Sequence, residues 1–217
     1  MIRAVIFDLD GVLIDSEQVW DTAREQLTKE LGGRWHAGAQ RDMMGMSSLE
    51  WSRYMHEDLG IELPPQEISD EVVRRLQRLY RERLPLLPGA REAVERLAAR
   101  WPLAVASSSN RPLIELVLGL AGIADRFRVT VSSEEVPRGK PAPDVYLEAA
   151  RRLGVDAGDC AAIEDSEKGL LSARSAAMRV IAIPNREFPP GDEALAAADV
   201  VLDSLAQLTP DVVDPTG

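Results

Sequence analysis

A single cysteine, Cys160, rules out any disulfide within the chain and fits a reducing compartment. There are only two histidines, His36 and His56, and only three lysines, Lys29, Lys140 and Lys168; the other 22 of the 25 basic residues are arginine. No apolar run is long enough to span a bilayer, and because Met1-Ile2-Arg3 runs directly into the first apolar run, a secretory leader is not expected. No internal repeat or low-complexity segment is visible. With 36 acidic residues and a net charge of −11, the chain lacks the basic surface that nucleic acid or an anionic membrane requires. These absences point to a cytoplasmic protein, expected to be a monomer, whose partner is a small molecule. An anionic partner would need a cation or local donors to receive it.

What is present is an ordinary globular composition, 45% hydrophobic and 28% charged. Its 217 residues suffice for one large domain or a domain with a smaller insert. Short strand-like runs recur at 3–9, 103–107, 128–132, 160–164, 179–183 and 199–202. Helical patterns at 90–99, 112–120, 143–153 and 166–177 separate most of them. Such alternation predicts an α/β fold with a parallel sheet. From Ser16 to Leu84 no strand is visible, and 19–31, 48–59 and 67–83 read as helices. Asp15 or Ser16 is expected to cap the first, with Gln18 as a capping-box partner, and Gly32-Gly33 to stop it. This all-helical block, inserted between linkers near 14–16 and 85–88, looks like a cap over the sheet edge.

Four strand-like runs or the loops after them end in polar chemistry. Asp8-Leu9-Asp10-Gly11 closes the first strand with two carboxylates. Residues i and i+2 of a strand share a face, so both acids address one site unless the chain turns within the motif. The bland alternative is a solvated acidic turn. Ser107-Ser108-Ser109-Asn110 offers hydroxyls and helix-start N–H groups suited to phosphate, or else a plain helix cap. Lys140, in Gly139-Lys140-Pro141-Ala142-Pro143-Asp144, is a point charge on a long stem, or an exposed loop lysine. Glu164-Asp165-Ser166 offers hard oxygen ligands to Mg²⁺, or a cap for the next helix. All four lie where the C-terminal ends of parallel strands converge, the ligand edge of an open α/β sheet.

Asp8-Leu9-Asp10-Gly11-Val12, Ser107, Lys140 within Gly-Lys-Pro-Ala-Pro-Asp, and Glu164-Asp165 together resemble the four motifs of the haloacid dehalogenase superfamily. The helical block resembles the cap of its β-phosphoglucomutase-like branch. The resemblance spans nearly the whole chain. It implies a Rossmann-like core of residues 1–15 and 86–217 with a helical cap domain at 16–85. The second acid, Asp10, excludes the dehalogenase chemistry and points to phosphoryl transfer. The resemblance implies that Asp8 is the nucleophile and that Asp10 protonates the leaving oxygen and then deprotonates water. It implies that Ser107, Ser108 and Lys140 hold the phosphoryl group. Mg²⁺ would lie against Asp8, the Asp10 backbone carbonyl, Asp165 and Glu164. Like charges about 4 Å apart repel by ~4 kcal/mol at an effective dielectric of about 20, so clustered carboxylates meeting a phosphate need such cations.

The helical block holds Trp20, Trp35, Trp51, Tyr54, Met43, Met44, Met46, Met55 and both histidines. Most of these read as its own core. Trp20 and the Gly45-Met46-Ser47 turn resemble the parts of such caps that face the active site, and Asn110 is a further substrate candidate. β-Phosphoglucomutases carry a histidine where this chain has Trp20, and an arginine near Ser48. Asp15-Ser16-Glu17 with Trp20 is instead similar to sugar- and polyol-phosphate phosphatases. Phosphonatases of the superfamily use a cap lysine, but Lys29 is expected to form a solvated pair with Glu30. The expectation is a Mg²⁺-dependent phosphatase of a small phosphorylated metabolite, a hexose or hexitol phosphate. The alternatives are a hexose-phosphate mutase and a non-catalytic phosphate-ligand-binding protein on the same fold.

Overall fold

The computed structural model describes residues 1–44, 46–185 and 189–215. Six parallel strands form one sheet: β1 (Ala4–Phe7), β2 (Leu103–Ser107), β3 (Phe127–Ser132), β4 (Cys160–Glu164), β5 (Arg179–Ala182) and β6 (Val200–Val201), in the order β3-β2-β1-β4-β5-β6. β1, at the centre, is buried at every residue. That explains its unbroken Ala-Val-Ile-Phe run, since a strand covered on both faces has no polar side. Val5 and Phe7 pack into one apolar layer and Ala4 and Ile6 into the other. Helices α7 (Asp144–Leu153) and α8 (Glu167–Ser175) contribute to the second layer, and α5 (Ala90–Ala98) and α6 (Arg111–Ala121) to the first. The chain builds β2 and β3 on one side of β1 and then returns to its other side for β4. The switch point between β1 and β4 is where such sheets open a ligand crevice beyond their carboxyl ends.

Among the described residues between β1 and α5 lie four helices: α1 (Glu17–Glu30), α2 (Ala39–Met43), α3 (Ser48–Glu57) and α4 (Pro65–Glu82). In α4 the buried residues Ile68, Val72, Leu76 and Tyr80 recur every four positions on one face. Pro65 stands in its first turn, where the missing N–H costs nothing. The helix ends at Arg83, which is extended, two residues before Pro85. α2 was not expected, because five residues are too few to display a helical period. The two linkers run side by side: Asp15 N–H donates to the Pro85 carbonyl at 2.8 Å and Leu87 N–H to that of Leu13 at 3.0 Å. Apolar residues of α1, α3 and α4 continue the first layer of the core without a break.

Two local expectations are corrected. Ser16 stands at the N-cap of α1, but its side chain caps nothing there; the hydroxyl is drawn to Asp10 instead. Lys29 does not pair with Glu30: it meets Glu25, one turn back, at 2.8 Å, while Glu30 meets Arg75 of α4 at 2.6 Å. A helix turn brings residues four apart together, whereas neighbours diverge. No helix among the described residues is long and apolar enough to cross a membrane.

Candidate active site

β1 and β4 are neighbours in the sheet, so the chain leaves both strands at the same edge. Asp8 follows β1 directly and its N–H continues the ladder to the Ile163 carbonyl at 2.9 Å. Lys140 arrives from the loop before α7. Its Nζ lies 2.7 Å from Asp8 Oδ1 and 2.6 Å from Glu164 Oε1. Burial disfavours the ammonium, but Asp8 and Glu164 more than offset this and hold Lys140 well above the ordinary lysine value. Glu164 is fully buried and saturated with donors. Oε1 also accepts from the Tyr146 hydroxyl at 2.7 Å, and Oε2 from the Asp165 N–H and the Ser166 hydroxyl, both at 3.2 Å. The carboxylate is folded onto Gly169, where a Cβ would come within 2.0 Å of it. Glu164 thus faces Lys140 and the strand edge, not the open cavity.

Asp165 is different. Among the described residues no donor reaches its carboxylate, and oxygens of Asp8, Glu164 and Asp165 all lie within 4.8 Å of one another. Burial, then the charges of Glu164 and Asp8, hold Asp165 well above the usual carboxylate range. Burial also pushes Asp8 up to about 8, with Lys140 opposing. When ionised, three buried carboxylates against one ammonium leave two negative charges. An all-oxygen cluster short of two positive charges fits a hard divalent cation such as Mg²⁺. The backbone there is equally exacting. Gly11 has φ +79°, and a Cβ on it would lie 1.9 Å from Asp165 Oδ2.

The Asp10 carboxylate turns away from this cluster. Oδ1 accepts from the Ser16 hydroxyl at 2.6 Å and Trp20 Nε1 at 3.2 Å; Oδ2 accepts from the Ser109 hydroxyl at 2.7 Å and, at 3.5 Å, that of Ser107. Hydroxyls donate or accept by rotation, so Ser16 and Ser109 suit an acid that gains and loses a proton. Asp8 and Asp10 therefore do not share one environment, because the chain turns within the motif.

A cavity of about 490 Å³ joins these groups to the helical block, with Asp8, Asp10, Ser108, Lys140 and Asp165 in its wall. Ser107 is wholly buried below it, and Ser109 lines it. Of the substrate candidates, Trp20 and Met46 line the cavity. Gly45 lies outside the described residues. Ser47 starts α3 instead, its N–H and hydroxyl both given to Glu50 at 2.7 and 2.8 Å. Asn110 does not reach the cavity either: its amide donates to Glu134 at 2.7 Å and to Ser69 of α4 at 3.4 Å, tying α6 to the helical block. Met43, Met44 and Trp51, expected to be plain core, also face the cavity, though Met43 and Trp51 are almost fully buried. Arg24, Gln40 and Tyr146 belong to no site motif in the sequence, whereas Ser109 reads there as a phosphate donor or helix cap, and Ser16 and Glu17 only as part of a pattern similar to sugar-phosphate phosphatases. The sequence signal for Glu17, Trp20 and Arg24 is their spacing on one helix face.

The model of the haloacid dehalogenase-like hydrolase family matches residues 2–177. Hexitol phosphatase B of Escherichia coli (strain K12) is 37% identical over 220 residues, covering 96% of this chain and 95% of that one. Among solved structures, CbbY from Rhodobacter sphaeroides, in complex with phosphate, matches with a TM-score of 0.88 at 30% identity over 99% of this chain and all (100%) of that one. β-Phosphoglucomutase from Clostridium difficile matches with a TM-score of 0.84 at 25% identity, over 99% and 96%.

Proposed function

The chain belongs to the haloacid dehalogenase-like hydrolases, and on that premise we propose that it is a Mg²⁺-dependent phosphatase of hexose or hexitol phosphates that works through an aspartyl-phosphate on Asp8. What carries this reading is the division between two acids two residues apart. Asp8 sits beside a buried cation and a carboxylate cluster, whereas Asp10 sits among hydroxyls at the cavity wall. A nucleophile and a proton carrier need those different surroundings.

Lys140 and Ser108, which line the cavity, receive the phosphoryl oxygens, with Ser107 beneath them. An Asp8 oxygen attacks phosphorus while the bond to the leaving oxygen breaks, and Asp10 delivers its proton to that oxygen. In the second half, Asp10 takes a proton from water as it attacks the phosphoryl group on Asp8, and inorganic phosphate leaves. Tyr146 and Glu164 keep Lys140 aimed at Asp8. Asp8, Asp165 and the Asp10 carbonyl would hold Mg²⁺, with Glu164 adding its charge from behind them, and the ion would supply the missing positive charge on the transferring oxygens. Residues 16–85 act as the cap that closes over the substrate and excludes water.

The test is phosphate release from hexitol and hexose phosphates by the native protein and by Asp8→Asn, each with Mg²⁺ and with EDTA. Release should need Mg²⁺ and fall by about 10⁴-fold or more in the variant, the scale seen when a nucleophile is removed. Unimpaired release by Asp8→Asn rejects the covalent route. Conversion of a hexose 1-phosphate to the 6-phosphate without net release would make the protein a mutase.

A further inference from the structure

Arg24 lies one turn beyond Trp20 and two beyond Glu17 on α1, and all three line the cavity. It is 5% exposed. Its guanidinium carbon sits 4.4 Å from the Trp20 ring centre and 4.9 Å from that of Trp51. Nη1 donates to Gln40 Oε1 at 3.2 Å, and the nitrogen of that amide donates to Glu17 Oε2 at 2.8 Å. Nε is buried without a partner. Among the described residues no carboxylate stands within ion-pair distance of Arg24.

Buried charges are ordinarily paired. Two indole faces and one neutral amide recover only part of what the guanidinium loses on leaving water. Glu17 does not complete a pair, since Gln40 stands between them and burial pushes the Glu17 carboxyl above its ordinary value. Burial draws Arg24 down to about 10, against the pull of Glu17 and Asp10, so it remains charged at neutral pH. The cluster at the sheet edge does not supply the missing anion either: Lys140 already engages Asp8 and Glu164. What remains is a forked donor facing a cavity of about 490 Å³, a size that holds a six-carbon ester.

We propose that Arg24 receives a second anionic group of the substrate, a carboxylate or a second phosphate on the carbon chain, so that the preferred esters carry negative charge at both ends. This rests on the phosphatase reading above. The guanidinium fork matches either anion by two parallel hydrogen bonds.

Two matched pairs test it. 6-Phosphogluconate and glucitol 6-phosphate differ only in a carboxylate against a hydroxymethyl group; fructose 1,6-bisphosphate and fructose 6-phosphate differ in the second phosphate. The native protein should favour the doubly anionic member of at least one pair by about tenfold or more in kcat/KM, chiefly through KM, as expected for one desolvated charge pair. The pair that responds names the anion. Arg24→Gln should remove the preference and Arg24→Lys should keep part of it. Equal use within both pairs by the native protein overturns the proposal, whether or not the variants fold. So does a preference that survives Arg24→Gln. Binding of the same four esters with EDTA, read from Trp20 and Trp51 fluorescence, should show the same preference without turnover. If no ester is hydrolysed, the phosphatase reading fails while this binding comparison still decides the role of Arg24.

Discussion

At the sheet edge Lys140 is shared between Asp8 and Glu164, whereas in the helical wall Arg24, no more exposed, has one amide and two indoles. Both are buried cations beside the same cavity. The first is matched by groups that the fold itself brings in. The second is left with spare donors. The contrast separates two jobs. Under the proposed function, the charges that perform the common reaction are fixed by strand ends, whose positions the sheet dictates, and the charge proposed to choose among substrates stands on a helix and is completed only by what enters. Changes at the edge should therefore affect every ester alike, and changes in the wall should sort one ester from another.

The largest effect is expected from Lys140→Met, which leaves Asp8 and Glu164 buried without their cation. Breaking such a pair costs about 3–5 kcal/mol, measurable by urea unfolding. The deficit should grow as pH rises through and above about 8, where Asp8 ionises in the native protein but is held neutral at a rising cost without Lys140. An acid whose folded pKa lies above its unfolded value, near ~3.9 for aspartate, keeps full stability below the unfolded value and loses it as pH rises. Burial already pushes Asp8 up to about 8 with Lys140 present. A loss that shrinks as pH rises would mean that Lys140 does not balance these acids. Next comes Asp10→Asn, expected to lower kcat by about 10²–10⁴-fold on all esters, the range for general acid–base groups. A loss confined to particular esters would move Asp10 into the selecting wall. The smallest effect is expected from Trp20→Phe, where the two regions touch. It removes the N–H given to Asp10, a bond worth about 1 kcal/mol, and trims the face under Arg24. Steady-state kinetics should show a fall of a few fold. A collapse as deep as that of Asp10→Asn would erase the distinction between edge and wall.

The edge was legible because its signal is local. An apolar run that stops at an acid or a hydroxyl announces a strand end, and parallel strands bring their ends together. Asp8 and Asp165 are placed at the edge by that signal, and Lys140 by its proline-fixed loop before α7. The partners that tune them are not, since each comes from a distant place and has an innocent local reading. Tyr146 looks like an apolar face of α7, yet its hydroxyl reaches Glu164. Ser16 and Ser109 look like helix caps, yet both donate to Asp10. Ser47 and Asn110 show the converse: their sequence context suggests substrate contacts, but they are engaged with Glu50 and with Ser69 and Glu134. The helical wall was least legible: Arg24, Gln40 and Trp51 meet from three helices, one of them too short to show a period.

At Gly11 the crowding acts in the reverse direction as well. Its left-handed backbone and the Asp165 oxygen 1.9 Å from where a Cβ would stand both disfavour any side chain there, on two independent grounds. A side chain there would displace the carboxylate before it touched a substrate. Position 11 contributes no functional group, yet a side chain there would move Asp165: the site depends partly on an emptiness that the surrounding acids require.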